Sequence, residues 1–426
     1  MNSNEVRRVA VIGGSRIPFA RAYTNYRNAT TQDLMTTSLK GLVEKYHLQG
    51  ETLGDVSLGA VIKHSSDWNL ARESVLGSGL DPHTPAFDIQ RACGTSLEAA
   101  ILIGLKIANG LIDSGVGAGA DSISDSPIVY PRSYQKLLVA SATGRSFGQK
   151  LKPWLGLRPR HFKPLAPGVT EPRTNLSMGE SCELMAKEWQ ISREDQDRLA
   201  MESHLKAAEA QAQGWYKDQL IEYCGLDADN NVRANSSMES LAKLKPVFDR
   251  SGSGTLTAGN STPLTDGSSA VLLASEDWAR EKGLPVQAYL TYGKTAAVDF
   301  VGGEGLLMAP TRAVSQMLEQ AELELQDFDF YEIHEAFAAQ ALCTLKAWES
   351  DEFCREKLGR DRAMGAIDRS KMNVKGGSVA VGHPFGATGG RVLMTMAELL
   401  AEKGSGRGLI SVCTGGGMGV TAILER

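Results

Sequence analysis

The chain has 426 residues, of which 42% are apolar and 22% charged, with a formal net charge of −5. That length holds two or three domains' worth of core, and the acidic balance argues against a general nucleic-acid binder, whose footprint is basic. No apolar run reaches the length of a bilayer span, and the polar residues 1–8 lack the apolar centre of a secretory signal.

In chain order, residues 9–12 form an apolar run that predicts a buried strand ending at Gly13-Gly14. Residues 31–46 have helical periodicity, with Thr30 or Thr31 as the cap. A strand over 56–62, a helix over 69–77 and a strand over 86–89 follow. This last strand leads into Arg91-Ala92-Cys93-Gly94-Thr95-Ser96 and a long helix with Leu97, Ile101 and Leu105 on one stripe. Residues 115–120 read as a strand of small side chains.

From 127 to about 251 the alternation breaks, with Pro-rich pieces and two helical stretches at 180–190 and 194–213. Between Pro127 and Thr170 there are eight Lys or Arg residues and no Asp or Glu. Leu137, Leu138, Phe147, Leu151, Trp154, Leu155 and Leu157 interleave with them. Cationic and apolar residues together suit a membrane surface or an acidic partner. The alternatives are a solvated loop whose apolar residues pack on the core, and cations lining a nucleotide entrance.

The alternation then resumes. Strands are predicted at 287–292, 329–333, 409–412 and 420–424, helices at 310–321, 339–348 and 387–403, and a strand-like run at 375–381. The two halves share a grammar rather than identity: strand, reactive residue, Gly-rich turn, long helix, small-residue strand. The expected architecture is a duplicated, layered α/β fold. Its halves are 1–126 with 252–284, and 285–426; residues 127–251 are an insertion.

Cys93 stands at a strand-to-helix turn between small neighbours. The unpaired N–H groups of a helix start favour a thiolate and can bind a developing oxyanion. The plain alternative is a buried structural cysteine. His383, in Gly382-His383-Pro384-Phe385-Gly386-Ala387-Thr388-Gly389, can serve as a general base or make one structural hydrogen bond. Cys413 precedes Thr414-Gly415-Gly416-Gly417, a turn whose N–H groups can face a ligand. In His334-Glu335-Ala336-Phe337, either leading residue could polarise a carbonyl or orient a water, with a helix cap as the bland role of Glu335. Met178-Gly179 and Thr257-Ala258-Gly259-Asn260-Ser261-Thr262-Pro263 carry weaker signals. The six cysteines form no CxxC pair, so neither a disulfide framework nor a metal site is expected and a cytoplasmic location fits.

Taken together, these motifs make the sequence resemble the thiolase family over its whole length. Arg16-Ile17-Pro18-Phe19, the turn at Cys93, Gly119-Ala120-Asp121-Ser122, Met178-Gly179, Thr257-Ala258-Gly259-Asn260, His334-Glu335-Ala336-Phe337, Gly382-His383-Pro384 and Cys413-Thr414-Gly415-Gly416-Gly417 occur in order. The resemblance implies a five-layered αβαβα fold with an inserted loop domain, and homodimers or homotetramers. It also implies acyl transfer between acyl-CoA and coenzyme A through an acyl-cysteine. The implied catalytic residues are Cys93, His383, Cys413, His334 and Gly415, with Met178, Ser261 and Thr262 as substrate contacts. Coenzyme A is then a substrate, and no cofactor is implied. Many thiolases carry Asn where this chain has His334. The His form and the basic stretch are similar to the thiolase subunit of bacterial fatty-acid oxidation complexes, which implies a hydratase–dehydrogenase partner. A ketoacyl synthase of the same fold is the nearest competitor, and a non-catalytic lipid-binding subunit the more distant one.

Overall fold

In this computed structural model, which describes residues 6–165, 168 and 170–426, the apolar runs of the first half become six strands. These are β1 (Val9–Arg16), β2 (Ala20–Arg21), β3 (Asp55–Gly59), β4 (Ala86–Asp88), β5 (Ser114–Asp121) and β6 (Thr265–Ser275). The second half supplies β7 (Ala288–Ala297), β8 (Phe330–Ile333), β9 (Arg407–Thr414) and β10 (Met418–Glu425). The helices up to the start of β6 are α1 (Thr31–Lys45), α2 (Leu70–Ser78), α3 (Thr95–Ala108), α4 (Arg132–Thr143), α5 (Phe147–Leu151), α6 (Met178–Glu188), α7 (Arg193–Ala212) and α8 (Met238–Ala242). Those after it are α9 (Glu276–Glu281), α10 (Ala309–Ala321), α11 (Ala338–Trp348), α12 (Asp351–Leu358), α13 (Ser378–Val381) and α14 (Thr388–Lys403). Thr30 caps α1 as expected: its hydroxyl accepts from Asp33 N while the Asp33 carboxylate accepts from Thr30 N.

Hydrogen-bonded neighbours follow the order β4-β3-β5-β6-β1-β7-β10-β9-β8. β3 and β5 are parallel, and β5–β6 and β6–β1 antiparallel. β8 and β9 are likewise parallel, and β9–β10 and β10–β7 antiparallel. The series β3-β5-β6-β1 and β8-β9-β10-β7 are therefore copies in order and direction, which is the duplication expected from the sequence. The halves are stitched where Ala10 pairs with Tyr289 and Val11 with Ala288.

Helices α3 and α14 pack on each other, and each touches strands of both halves. On the outer faces, α1 and α2 cover the first half, while α10, with α11 against it, covers the second. Helices, strands, shared helices, strands and helices thus make five layers. The small residues of β5 permit this close approach. A Cβ on Gly117 would lie 2.5 Å from the Ala100 backbone, and one on Gly119 would lie 2.1 Å from the Gly386 carbonyl oxygen.

One expectation fails locally. The run 375–381 is no strand; its end is the short helix α13. Val379 and Val381 give it a β-rich look, but its N–H groups have side-chain partners instead of a sheet neighbour. Gly377 N donates to Ser203 Oγ and Val379 N to Glu335 Oε2.

The chain leaves the strands between β5 and β6 to form α4–α8. A fully buried ion pair, Arg16 with Asp229 at 2.6 Å, ties this excursion to the end of β1, and Asp229 also accepts from Phe19 N. The cationic part stands apart. No residue of α4 or α5 is buried, and Phe147 and Leu155 are each 79% exposed, so its apolar residues do not pack on the core as a solvated loop's would. No helix among the described residues is long and apolar enough to cross a membrane.

Candidate active site

The turn before α3 is held tightly. Thr95 Oγ1 accepts from Arg91 N at 2.9 Å and donates to Ala92 O at 2.7 Å. Ala92 adopts a φ of +42°, a left-handed conformation that costs a non-glycine residue about 1–2 kcal/mol. Gly94 allows the β9–β10 hairpin to close on this turn, since a Cβ there would lie 2.6 Å from Val420 Cγ2. Cys93, partly buried, receives the N–H groups of Gly415 and of its own backbone at its sulfur. Burial nevertheless pushes the thiol up to about 12, against the pull of those donors. The thiolate expected from the helix start is therefore outweighed by desolvation.

His383 follows α13. Its N–H donates to Thr265 Oγ1 at 2.7 Å, and its Nδ1 lies 2.6 Å from Thr388 Oγ1. His334 follows β8; its N–H donates to Ser411 O, and its Nδ1 lies 2.8 Å from Ser378 Oγ. Both Nε2 atoms are buried and unpartnered. The ring centroids are 4.2 Å apart, and Cys93 Sγ with one ring nitrogen of each histidine all lie within 4.8 Å of one another. Three motifs far apart in sequence thus converge. Burial and the Arg391 charge push His383 down to about 3; burial, His383 and Arg391 push His334 well below its ordinary value. Both imidazoles are neutral beside a neutral thiol. A cysteine and two histidines are also a donor set that suits zinc, although a metal there would occupy the same free ring nitrogens.

Cys413, near the end of β9, is buried, and its thiol is raised by burial and by the neighbouring Cys93 sulfur, while Ala336 N–H is directed at it. The turn beyond it requires glycine: Gly416 and Gly417 have φ of +78° and +69°. Gly416 N donates to Glu171 Oε1 at 2.7 Å. A Cβ on Gly415 would lie 3.8 Å from both Ala92 Cβ and Met178 Sδ, so Met178, the first residue of α6, flanks the nucleophile turn.

Thr262 N and Oγ1 both donate to Ala336 O, so its hydroxyl is already engaged. The Ser261 hydroxyl is buried and unpartnered. Both residues line a cavity of about 400 Å³ with Arg21, His204, Arg233 and Phe248. Met178 is not in that lining, nor is any cation of the 127–170 stretch. The Glu335 carboxylate is taken up by structural bonds, one of them to the first turn of α13. It accepts from Ser203 Oγ, Asn373 Nδ2 and Val379 N, which ties α7 to the segment before His383.

Ser378, Arg391 and Glu171 lie outside the sequence motifs, and Asp121 and Thr388 lie within them with no role that the sequence assigns. Asp121, pushed up to about 7 by burial, accepts from Val61 N, Ile62 N and Gly386 N and so clamps the loop after His383 to the end of β5. Arg391 did leave a signal. It is a cation in the first turn of α14, where the helix dipole disfavours positive charge, and it is almost fully buried.

Comparison with known proteins gives the family. Residues 9–277 match the family Thiolase, N-terminal domain, and residues 284–426 match Thiolase, C-terminal domain. The 3-ketoacyl-CoA thiolases of Yersinia pestis (strain Pestoides F) and Yersinia pseudotuberculosis serotype O:1b (strain IP 31758) are each 42% identical over 424 residues, 98% of this chain and 97% of theirs. Among solved structures, the Bacillus anthracis acetyl-CoA acetyltransferase superposes with a TM-score of 0.82 at 29% identity, covering 99% of this chain and 100% of its own. Human mitochondrial 3-ketoacyl-CoA thiolase in complex with CoA gives 0.81 at 28% identity, covering 99% and 98%. The chain belongs to the thiolase family.

Proposed function

We propose that this chain is an acyltransferase that cleaves 3-ketoacyl-CoA by thiolysis, or runs the reverse Claisen condensation, through an acyl thioester on Cys93. The observation that carries this reading is the convergence of Cys93 Sγ with a ring nitrogen of each of His334 and His383, with Cys413 beside them.

His383 Nε2 takes the Cys93 proton as the sulfur attacks the 3-keto carbon. The bond between C3 and C2 breaks, and acetyl-CoA leaves as a carbanion protonated by Cys413. Cys413 regains its proton from an incoming CoA thiol, whose sulfur attacks the acyl-cysteine. The acyl group departs as a shortened acyl-CoA, and His383 returns the first proton to Cys93. One hard step is split into two. The N–H groups of Cys93 and Gly415 receive one developing oxyanion, and His334 with His383 the other. Written this way the reaction requires no metal or electron carrier, and CoA enters as a substrate.

Ser261 and Thr262 are assigned to substrate contact through the 400 Å³ cavity, where the free Ser261 hydroxyl meets an amide-bearing chain and Arg21 and Arg233 meet its phosphates. Met178 is assigned to the acyl side, beside Gly415. The Cys-His-His cluster also favours a ketoacyl synthase; Cys413 decides for thiolase, because reversible Claisen chemistry needs the second acid. We further assign the chain a role in fatty-acid β-oxidation in the cytoplasm as a homodimer or homotetramer. Its exposed cationic, apolar stretch is assigned to contact with a hydratase–dehydrogenase subunit or an anionic membrane surface. We also assign residues 1–126 with 252–284 to the first half, 127–251 to the insertion and 285–426 to the second half.

Incubating the native protein with acyl-CoA and mapping the adduct by peptide mass tests the core of this reading. The acyl group is expected on Cys93; a stable adduct on Cys413 would reverse the two roles.

A further inference from the structure

The two adjacent imidazoles have hydroxyl partners of opposite character. Arg391 Nη2 lies 3.0 Å from Ser378 Oγ. A guanidinium has only donors, so the Ser378 oxygen accepts that bond. Its single hydrogen has one potential acceptor among the described contacts, His334 Nδ1, at 2.8 Å, and is satisfied only by donating there. An Nδ1 that accepts carries no proton, so a neutral His334 carries its proton on Nε2. The hydroxyl beside His383 has a carbonyl to donate to. Thr388 Oγ1 has the Pro384 carbonyl, which can only accept, 3.1 Å away; with its hydrogen placed there it accepts from His383 Nδ1, at 2.6 Å. His383 therefore holds its proton on Nδ1 and presents a lone pair at Nε2.

We infer that Ser378, backed by Arg391, is a positioning residue that holds His334 as a hydrogen-bond donor, while Thr388 holds its neighbour His383 as the base, so that two like side chains perform unlike work. The inference rests on the proposed thiolase reaction and says which atom does what within it. His334 Nε2–H is a ready donor for a thioester oxygen gaining charge, and His383 Nε2 is free for the Cys93 proton. The same short segment of chain, 378–391, supplies the base and all the residues that fix both tautomers. Arg391 is itself steadied by Glu332, 3.7 Å away in the interior.

The native protein labelled with ¹⁵N in its histidine rings provides the test, by long-range proton–nitrogen correlation at neutral pH. Seven histidines keep the spectrum assignable through His334→Gln and His383→Gln variants. The expected result is a bare Nδ1 and protonated Nε2 at His334, and the reverse at His383. The opposite tautomer at either position, or a doubly protonated His334, overturns the inference. Ser378→Ala is expected to lower kcat about ten- to a hundredfold, the scale seen on removing the hydrogen-bonding partner that orients a metal-bound histidine, with KM nearly unchanged and only the His334 signals displaced. A native kcat in that variant also overturns it, and if the variant fails to fold, the native spectrum still decides. The spectrum reads a resting protein, so it is independent of where the acyl adduct maps; an adduct on Cys413 sinks the proposed reaction and leaves the tautomers to be read on their own.

Discussion

Gly119→Ala gives a stringent test of how the base is held. Gly119 lies within β5 with ordinary strand backbone, so alanine brings no conformational penalty of its own. The new methyl would sit 2.1 Å from the Gly386 carbonyl oxygen and 2.7 Å from its carbon. Ordinary contact begins near about 3.5 Å, so the loop after His383 must retreat by more than about 1 Å. It cannot retreat freely, because Asp121 grips Gly386 N at 2.6 Å and Thr265 grips His383 N at 2.7 Å. The strain is therefore shared between stability and alignment. Overpacking of this kind costs about 1–3 kcal/mol, and a displacement near 1 Å at a reacting group costs about a hundredfold in rate. Thiolysis of a 3-ketoacyl-CoA, followed by loss of its enolate absorbance, should show kcat down about a hundredfold, and urea unfolding an earlier midpoint. Gly148→Ala, where nothing lies within 4 Å, is the control and should behave as native. A Gly119→Ala enzyme with native kcat and native midpoint would refute the claim that β5 sets the position of His383.

Cys413→Ala should impair proton exchange at the acetyl methyl far more than acylation of Cys93; equal exchange in variant and native enzyme removes Cys413 from the proton path. With the Cys93 thiol near 12 and His383 near 3, no thiolate–imidazolium pair is populated at rest. Alkylation of Cys93 by iodoacetamide should thus accelerate about tenfold per pH unit between pH 6 and 9; a plateau below pH 7 contradicts the neutral pair. His204 is depressed to about 4 by burial and by Arg233, while its unfolded value is about 6.5. Between those values the unfolded chain binds a proton that the folded chain refuses, so this residue's contribution is complete above about pH 6.5 and is lost as pH falls toward 4, at up to about 1.4 kcal/mol per pH unit. His204→Asn should flatten that slope, and parallel stability curves would show the assignment wrong. Replacing Lys150, Lys152, Arg158 and Arg160 by Gln should weaken binding to anionic vesicles, or to a hydratase–dehydrogenase subunit, with strong salt dependence, while KM for CoA stays put; a sharp rise in that KM would return the stretch to the substrate site.

The fold was legible wherever burial wrote a period into the sequence. The apolar stripes of α3 and α14 and the small residues of β5 are visible because each faces a close neighbour. The run before His383 misled because its valines fit a strand while its N–H groups are claimed by Ser203 and Glu335, residues far away in the chain. In the site, Cys93, His383 and His334 were legible because reactive side chains at turns are few. Their charge state was not, since desolvation depends on the whole enclosure. Ser378 and Thr388 were equally hidden: a hydroxyl's role lies in where its one hydrogen points, and that is decided by Arg391 and the Pro384 carbonyl.

The repeated order β3-β5-β6-β1 and β8-β9-β10-β7 has a consequence for the divisibility of the molecule. Cys93 stands two residues before the shared helix of one copy and His383 five residues before that of the other, so each repeated unit delivers one of the pair on the approach to its shared helix. The strands that follow those helices also correspond. β5 ends in a carboxylate, Asp121, that anchors the loop after His383, while β9 carries a thiol, Cys413, next to its last residue. Expressed as separate polypeptides cut between α9 and β7, neither would hold a complete set of reacting groups, and chemistry would return only when the two re-formed the seam between α3 and α14.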